Sequence, residues 1–245
     1  MKNFMVSASL ETPVIKSVGT LPLDSLLAAM IYRESEDIAI AHRDIPLDRT
    51  DGLWHGSAAF FCTHELRSKE AKYVRALSME DLESNQWKLD TKRPLWVDQA
   101  RNDTAHQWAR LIGSYQLISA STVRWFGRGD IDRVSELMAK VTAIGKKSAH
   151  GFGIVRPDSL VVIEMPHNAA LEWNKKPMRQ IPKATWESWG NVAADLDVEY
   201  APCEPPYLES EKVIAVMPGN RFLQRSAFMR IGMAPTPAGS ATNKH

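Results

Sequence analysis

The segment TVRWFGRGDIDRVSELMAKVTAIGKKSAHGFGIV, residues 122–155, carries the strongest structural pattern in this chain of 245 residues. It begins with strand-forming residues, among them Val123, Trp125 and Phe126. Asp130 then stands where the N-cap residue of a helix is expected. The pattern therefore predicts a strand, an amphipathic helix, a loop and a second strand. The apolar residues at helical spacing are Ile131, Val134, Leu137, Met138, Val141 and Ile144.

A loop rich in glycine and lysine separates the predicted helix from the second strand. Gly145 stands where a C-cap glycine is expected, and Gly151 and Gly153 follow it. Small residues let another molecule approach the backbone N–H groups, and Lys146 and Lys147 add two positive charges. This chemistry favours a polyanion. Walker-type and dinucleotide-binding loops are disfavoured, because their glycines precede a helix and these glycines follow one.

Four patches of the sequence together resemble the RAMP superfamily, the ferredoxin-like, RNA-binding subunits of CRISPR effector complexes. The glycine-rich loop is one patch. The others are PLDSLL at residues 22–27, WHGSAA at residues 54–59 and MRQIP at residues 178–182. Taken in their order along the chain, the four patches are most similar to the Cas five-group subunit of type IV CRISPR systems. That subunit caps the 5′ handle of the guide RNA.

The order of the predicted elements agrees with the α+β, ferredoxin-like palm that the resemblance implies. A first strand is predicted at Phe4–Leu10, Pro22 and Asp24 open a helix, and Ser57–Thr63 is the next strand. This β-α-β opening stands beside the β-α-loop-β unit of residues 122–155. Also expected are a strand or hairpin at Ile38–Ile45 and strands at Leu111–Ser119, Leu160–Glu164 and Val213–Met217.

The palm is expected to comprise residues 1–63 and 109–218. Residues 64–108 are polar and poorly periodic, and so long a connection within a domain usually has a function. The resemblance implies that this insert is a thumb that grips the RNA between handle and spacer. Residues 219–245 are expected to be a C-terminal tail that is at least partly disordered, chiefly from Ala234 onward.

The charge distribution also bears on function. The formal net charge is only +1, but seven Lys and Arg stand against three acids between Arg124 and Arg156, and acids concentrate between Asp195 and Glu211. Such segregation suits a protein with one face on RNA and another toward protein or solvent.

The candidate RNA-binding residues are cations for phosphate and side chains that can lie against bases. Two alternatives stay open: Trp125 is either a core residue or a stacking surface, and Arg124 and Arg128 could pair with Asp130 and Asp132 instead of RNA. The candidates are Lys69, Lys72, Arg75, Arg124, Arg128, Lys146, Lys147, Ser148, His150, Gly151, Phe152 and Arg179.

We expect neither a metal site nor a cofactor, and we expect a chain that is not an enzyme. The seven histidines lack paired ligand spacing. Metal-independent RNA cleavage needs a base and a group that stabilises the phosphate in the transition state, which His55 or His150 with a lysine could supply. The alternatives are therefore a repeat-RNA-processing endonuclease of the same superfamily and a RAMP-like assembly scaffold.

The sequence is typical of a cytoplasmic protein that does not enter a membrane. It has two cysteines, Cys62 and Cys203, no apolar run of membrane-spanning length and no secretory h-region at its start. As partners, the resemblance implies the crRNA, target DNA, a RAMP backbone subunit and a large subunit.

Overall fold

The computed structural model describes residues 1–15, 20–63, 68–76, 110–207 and 209–231, with side chains for all of these except 68–76 and 110–116. The chain divides into two units, one of Met1–Arg67 with Ile118–His245 and one of Ser68–Leu117. Helices and strands are both present, so the predicted α+β class is confirmed. Most of the predicted thumb, residues 64–108, lies outside the described residues, and its boundaries stay a prediction.

The elements have the following bounds. The helices are α1 (Leu23–Ser35), α2 (Ile38–Arg43), α3 (Ile131–Met138), α4 (Lys183–Ser188) and α5 (Arg225–Arg230). The strands are β1 (Lys2–Ser9), β2 (Val14–Ile15), β3 (Arg49–Thr50), β4 (Leu53–Trp54), β5 (Phe60–Cys62), β6 (Ser68–Ala76), β7 (Arg110–Ile118), β8 (Thr122–Gly129), β9 (Val161–Glu164), β10 (Glu172–Trp173), β11 (Lys176–Pro177), β12 (Ile181–Pro182), β13 (Val198–Pro202), β14 (Lys212–Val216) and β15 (Phe222–Leu223). Each of five predicted strands overlaps an observed strand, namely those at Phe4–Leu10, Ser57–Thr63, Leu111–Ser119, Leu160–Glu164 and Val213–Met217. The strand predicted after the glycine-rich loop is observed only as isolated β-bridges of Ile154 and Val155.

A five-stranded mixed sheet forms the centre of the larger unit, with the strand order β15-β5-β8-β1-β9. The pairs β5–β8, β8–β1 and β1–β9 are antiparallel, whereas β15 is parallel to β5. In the long β1–β8 pair, Phe4 lies opposite Gly127 and Ser9 lies opposite Thr122. Because side chains alternate along a strand, this register fixes which residues of β8 share a face.

The two faces of this sheet carry different side chains. On the first face, Val6 and Trp125 pack in one core with residues of α1 and α3, such as Leu27 and Leu137. Trp125 is fully buried and its Nε1 donates to the Leu21 carbonyl at 3.1 Å, so the core interpretation of this residue is confirmed. On the second face, a separate core contains Met5, Phe60, Phe126, Met178 and Phe228.

A smaller sheet of order β12-β14-β13 has a core of its own. Ile181 on β12 and Ala215 on β14 pack there with Trp186 of α4, and all three are fully buried. The alternation of apolar residues along β14 accounts for this packing, because Val213 and Ala215 face the core while Ile214 is exposed.

The expectation of a strand or hairpin at Ile38–Ile45 is wrong, because the segment contains helix α2. The carboxylate of Asp37 accepts hydrogen bonds from the N–H groups of Ala39 and Ile40 at 2.7 and 3.2 Å. An N-cap of this kind satisfies donors that the first turn of a helix leaves unpaired. The apolar alternation does not correspond to a buried face, since Ile38 is 60% exposed.

The predicted helix after Asp130 begins as expected but ends at Met138, seven residues before Gly145. Its predicted last turn is replaced by pairing with the segment that follows the loop: Ile144 N–H donates to Gly153 O and Val155 N–H donates to Thr142 O, both at 2.9 Å. Val141 and Ile144 are still buried. The helical periodicity therefore identified buried positions correctly but overestimated the helix length.

The described part of the C-terminal region belongs to the main sheet. Phe222 on β15 pairs with Phe61 on β5, and their rings stack with centroids 5.3 Å apart. Helix α5 follows and places Phe228 in the core of the second face. The expected disorder of Ala234–His245 lies outside the described residues. Within the described residues, no helix is long and apolar enough to cross a membrane.

Candidate nucleic-acid interface

The glycine loop, residues 145–153, joins the two backbone segments that pair at Ile144 and Gly153. It contains a short 3-10 turn at Ser148–His150, and Lys147 before the turn and Gly151 after it adopt positive φ angles of 60° and 85°. Residues 146–151 are all exposed. The loop thus presents a tightly turned backbone and its cations to solvent, as the sequence predicted.

Gly153 holds the base of the glycine loop against neighbouring backbone. It has a φ of +65°, and a Cβ at this position would lie 2.0 Å from the Ile144 carbonyl oxygen, so only glycine fits. Its N–H donates to Pro13 O, and the next N–H, of Ile154, donates to Thr12 Oγ1, both at 2.9 Å. The loop is therefore anchored on the segment that follows β1.

The structure places six of the candidate residues together in this loop. Four of them, Lys146, Lys147, Ser148 and His150, have exposed side chains, Gly151 is exposed as well, and Phe152 is half-buried. Arg156 lies just beyond the loop, where its Nε is 3.9 Å from a Glu11 carboxylate oxygen. The loop and its flank carry more positive than negative charge, which suits a polyanionic ligand.

Arg124 lies on β8, where it is paired with Ser7 on one side and Phe60 on the other. Its guanidinium lies over the Phe228 ring, with Cζ 4.4 Å from the ring centroid. Nη1 donates to the Phe228 carbonyl at 3.3 Å and Nη2 donates to Met229 Sδ at 3.1 Å. Burial lowers the pKa of Arg124. The alternative in which it pairs with Asp130 or Asp132 is not observed.

Arg124 and the glycine loop lie at the same end of the main sheet. Leu10, just after β1, donates its N–H to Ser121 O at 3.0 Å and forms a β-bridge with Val155. The residue before β8 and Val155, two residues beyond the glycine loop, therefore flank the same residue. Arg128 is four residues further along β8, about 13 Å from Arg124 at the usual rise per residue, and so lies toward the other end.

Ion pairs with other elements neutralise several of the basic residues between 124 and 156. Arg128 Nε lies 2.8 Å from a carboxylate oxygen of Asp48. Arg133 and Lys140 both pair with Glu34 of α1, and the hydrogen bonds from Lys140 and Arg133 hold the pKa of this glutamate below its usual value. The positive surface is therefore narrower than the sequence window suggests, and it is centred on the glycine loop.

Arg179 is completely buried, so its side chain is not exposed to a ligand in the structure, and the predicted RNA contact stays a prediction. Its guanidinium forms an ion pair with Asp24 at 3.0 Å, and both side chains are 0% exposed. It also donates to the carbonyl oxygens of Trp54, Gly56 and Cys203 at 2.6, 3.2 and 2.8 Å. Three of the four sequence patches, PLDSLL, WHGSAA and MRQIP, thus meet at one guanidinium.

Tyr207 completes this buried network, and sequence reasoning missed it. Its hydroxyl accepts from Arg179 Nη2 at 2.5 Å and donates to both carboxylate oxygens of Asp24. Burial, together with the charge of Asp24, raises the pKa of Tyr207 well above its usual value. Burial alone would lower the pKa of Arg179, but Asp24 and the other partners outweigh it and raise that pKa. No pattern around Tyr207 in the sequence indicates this role.

The histidines that were candidates for catalysis lie in different environments. His55 is 7% exposed, its Nε2 is 2.9 Å from Thr50 Oγ1, and burial lowers its pKa. A side chain so enclosed is poorly placed to reach a ribose hydroxyl. His150 is on the exposed glycine loop. Within the described residues, no group of three or more His, Cys, Asp or Glu could hold a metal ion.

Three further candidates, Lys69, Lys72 and Arg75, are on strand β6. Their side chains lie outside the described residues, so their part in RNA binding stays a prediction.

A comparison with known protein families identifies the family to which the chain is similar. A family model described as CRISPR type IV associated protein Csf3, a Cas5-group RAMP-like subunit, matches residues 2–218. The matched range contains both the Arg179 network and the glycine loop. It ends before β15 and α5. No curated protein matches the chain.

Proposed function

The chain belongs to the family of the CRISPR type IV associated protein Csf3, and from this membership we propose that it is the non-catalytic subunit that binds the 5′ handle of the crRNA in a type IV effector complex. Membership of the family makes it a CRISPR-associated effector subunit. Its partners in this proposal are the crRNA, a RAMP backbone subunit, a large subunit and the target DNA, and the complex acts in the cytoplasm.

The observation that carries the proposal is the exposed glycine loop. Lys146 and Lys147 stand next to each other on a turn whose neighbours are small, so a phosphate can approach the ammonium groups and the backbone together. Neutralising RNA phosphates releases counterions, which supplies much of the affinity of such proteins. Backbone hydrogen bonds at Ile144, Gly153 and Ile154 already hold the base of the loop, so less conformational entropy is lost when a ligand binds there.

The arrangement of the main sheet supports a ferredoxin-like palm as the platform for this loop. Two βα units, β1–α1–β5 and β8–α3–β9, are interleaved, because β8 lies between β1 and β5 in the sheet. This is the split βαβ arrangement of ferredoxin-like folds. Helices α1 and α3 share a core on the same face. The glycine loop comes between the second helix and the last strand of the palm, at the edge of the second βα unit.

Replacing the two loop lysines by alanine tests the proposal. We expect Lys146→Ala with Lys147→Ala to weaken binding of handle RNA by the chain alone and to lower the slope of log affinity against log salt by about 0.7 for each phosphate that the variant no longer neutralises. The measurement is fluorescence anisotropy over a salt series. Since no partner subunit is present, RNA binding in this assay also distinguishes a binder from an assembly scaffold.

The chain offers a closely matched control in Lys175 and Lys176. This lysine pair is also adjacent and exposed, and Lys175 has a φ of 58°, close to the 60° of Lys147. Lys175→Ala with Lys176→Ala therefore makes the same change in charge and in backbone strain on the β10–β11 turn. Equal losses of affinity and slope in the two double variants would show that the glycine loop makes no specific contact.

Incubation with repeat RNA separates this proposal from the processing endonuclease. We expect no cleavage by the chain alone, with or without divalent metal, since the buried His55 is poorly placed for proton transfer to RNA. Discrete products at one position that disappear in His150→Ala or His55→Ala would overturn the non-catalytic assignment. Products that survive both substitutions would come from a contaminating nuclease and leave the assignment unchanged.

A further inference from the structure

A small cleft opens on the second face of the main sheet, at the start of β8 and beside helix α5. Its volume is about 210 Å³, and its lining includes Ser121, Thr122, Arg124, Arg225 and Phe228. Pockets for drug-sized ligands usually measure about 300–1,000 Å³, so this cleft suits a group smaller than a whole nucleotide. Arg225 and Ser121 are exposed, so the cleft is open to solvent.

The charge of the cleft distinguishes it from the sites of several other arginines in the described residues. Two arginines, Arg124 and Arg225, line it, and none of the described residues that line it is acidic. By contrast, Arg128, Arg133 and Arg179 each have a carboxylate within ion-pairing distance. Two like charges facing one small space repel each other unless an anion lies between them.

The hydrogen bonds of Arg124 leave room for a stronger acceptor. Its two terminal nitrogens donate to a carbonyl and to a thioether sulfur, which is a weak acceptor. Its Nε is buried and has no hydrogen-bond partner among the described residues. A guanidinium forms its best hydrogen bonds with carboxylate or phosphate oxygens, two of which match its planar fork. The hydroxyl groups of Ser121 and Thr122 add further donors at the same place.

We propose that this cleft binds one phosphate group between Arg124 and Arg225. The inference rests on the proposed function in one respect, because RNA then supplies the phosphate as a backbone phosphodiester. The cleft and the glycine loop lie at the same end of the sheet, on either side of Leu10. An RNA strand held by Lys146 and Lys147 can therefore continue across the end of β1 and place another phosphate in the cleft.

Substitutions at the two arginines, with a control on the same helix, test this site. Arg225→Gln removes an exposed charge without disturbing the core, and Arg124→Lys keeps the charge but loses the planar fork. Arg230→Gln is the control, since Arg230 is exposed on α5, makes the same charge change and lies outside the cleft lining. The probes are labelled single-stranded handle RNA, followed by anisotropy over a salt series, and inorganic phosphate, followed by thermal unfolding.

We expect Arg225→Gln to lower the salt slope for RNA by about 0.7 and Arg124→Lys to weaken RNA binding several-fold, while Arg230→Gln leaves both unchanged. We also expect inorganic phosphate to raise the unfolding temperature of the wild-type chain more than that of Arg225→Gln. Wild-type slope and affinity in both cleft variants would overturn the cleft site while leaving the RNA-binding function intact.

Thermal unfolding with inorganic phosphate tests the cleft site separately from the proposed RNA-binding function. If the wild-type chain binds no RNA, but phosphate stabilises it and not Arg225→Gln, the cleft is supported with free phosphate as its ligand and the RNA-binding function is overturned. Equal stabilisation of the wild-type chain, Arg225→Gln and Arg230→Gln by phosphate would show general ion binding at the surface and would overturn the cleft site.

Discussion

Replacing Arg179 by methionine should remove a fully buried side chain that is hydrogen-bonded to five other residues. The substitution keeps an unbranched stem of similar length but deletes a guanidinium that donates to four other residues besides Asp24. The carboxylate of Asp24, which is 0% exposed, then loses its counter-charge. The carbonyl groups of Trp54, Gly56 and Cys203 lose a donor as well.

The expected loss follows from the burial of both partners. Removing one member of a fully buried ion pair costs about 3–5 kcal/mol, because an uncompensated charge remains in the interior. A domain of ordinary stability has a free energy of unfolding of about 5–15 kcal/mol, so this is a large fraction of the total. Arg179→Lys should lose less, since it keeps the charge, but an ammonium has three donors and cannot reproduce the planar fork.

Urea unfolding followed by circular dichroism measures these losses, with Arg133→Met as the matched control. Arg133 also pairs with carboxylates, those of Glu34 and Glu136, but it lies at the surface, where such pairs contribute up to about 1 kcal/mol. If Arg179→Met loses no more free energy of unfolding than Arg133→Met, the buried network does not stabilise the fold and the reasoning fails.

The same variants decide whether Arg179 contacts RNA. Under conditions where Arg179→Lys is folded, it should bind handle RNA with the wild-type salt slope, because the residue positions other segments and touches no phosphate. A lowered slope in a folded variant would restore the contact that the MRQIP patch predicted and would require the network to open when RNA binds.

Two further predictions concern the glycine loop and the pH dependence of stability. Gly153→Ala should lower the free energy of unfolding by at least about 1 kcal/mol more than Gly190→Ala, since both have positive φ but only Gly153 has a backbone oxygen 2.0 Å from the added Cβ; equal losses in urea unfolding would contradict this. Burial raises the pKa of Cys203 from its ordinary 9.0 to about 11, so the folded chain holds this proton longer than the unfolded chain. The free energy of unfolding should therefore fall between pH 9 and pH 11, by up to about 1.4 kcal/mol per unit from this group, and Cys203→Ala should flatten that fall in urea titrations; an unchanged pH profile would show that the thiol titrates alike in both states.

Sequence patterns predicted the elements whose formation depends on local alternation. The strands β1 and β8 and the start of α3 at Asp130 follow from apolar periodicity and capping, which act over a few residues. Two predictions of elements were wrong, the strand or hairpin at Ile38–Ile45 and the length of α3. In both, hydrogen bonds that the periodicity does not reveal determined the structure. Asp37 caps α2 within a segment that alternates like a strand, and the pairing of Ile144 with Gly153 replaces the last turns of the predicted helix.

The candidate site was predictable only where its residues are contiguous. The glycine loop is a single exposed stretch, so its composition predicted an exposed, positively charged turn. The pairing of Arg128 with Asp48 and of Lys140 with Glu34 joins residues from separate elements, and no window of sequence reveals it. The contact of the Arg124 guanidinium with the Phe228 ring depends in the same way on β15 and α5, which come about a hundred residues later.

The buried network changes what the sequence resemblance says about function. Three of the four patches that carry the resemblance are used to pack the fold: Asp24 and Arg179 pair in the interior, and Gly56 lies so close to α1 that a Cβ there would be 3.1 Å from Leu23 Cβ. The side chains of these patches named here are therefore accounted for by packing, and their roles alone do not identify the ligand. Exposed positions say more about the ligand. Lys146 lies on the exposed glycine loop and Arg225 lines the open cleft, and the packing of the described residues does not account for their charges. Ligand specificity within this fold should accordingly vary with the glycine loop and the cleft while the Arg179 network stays the same.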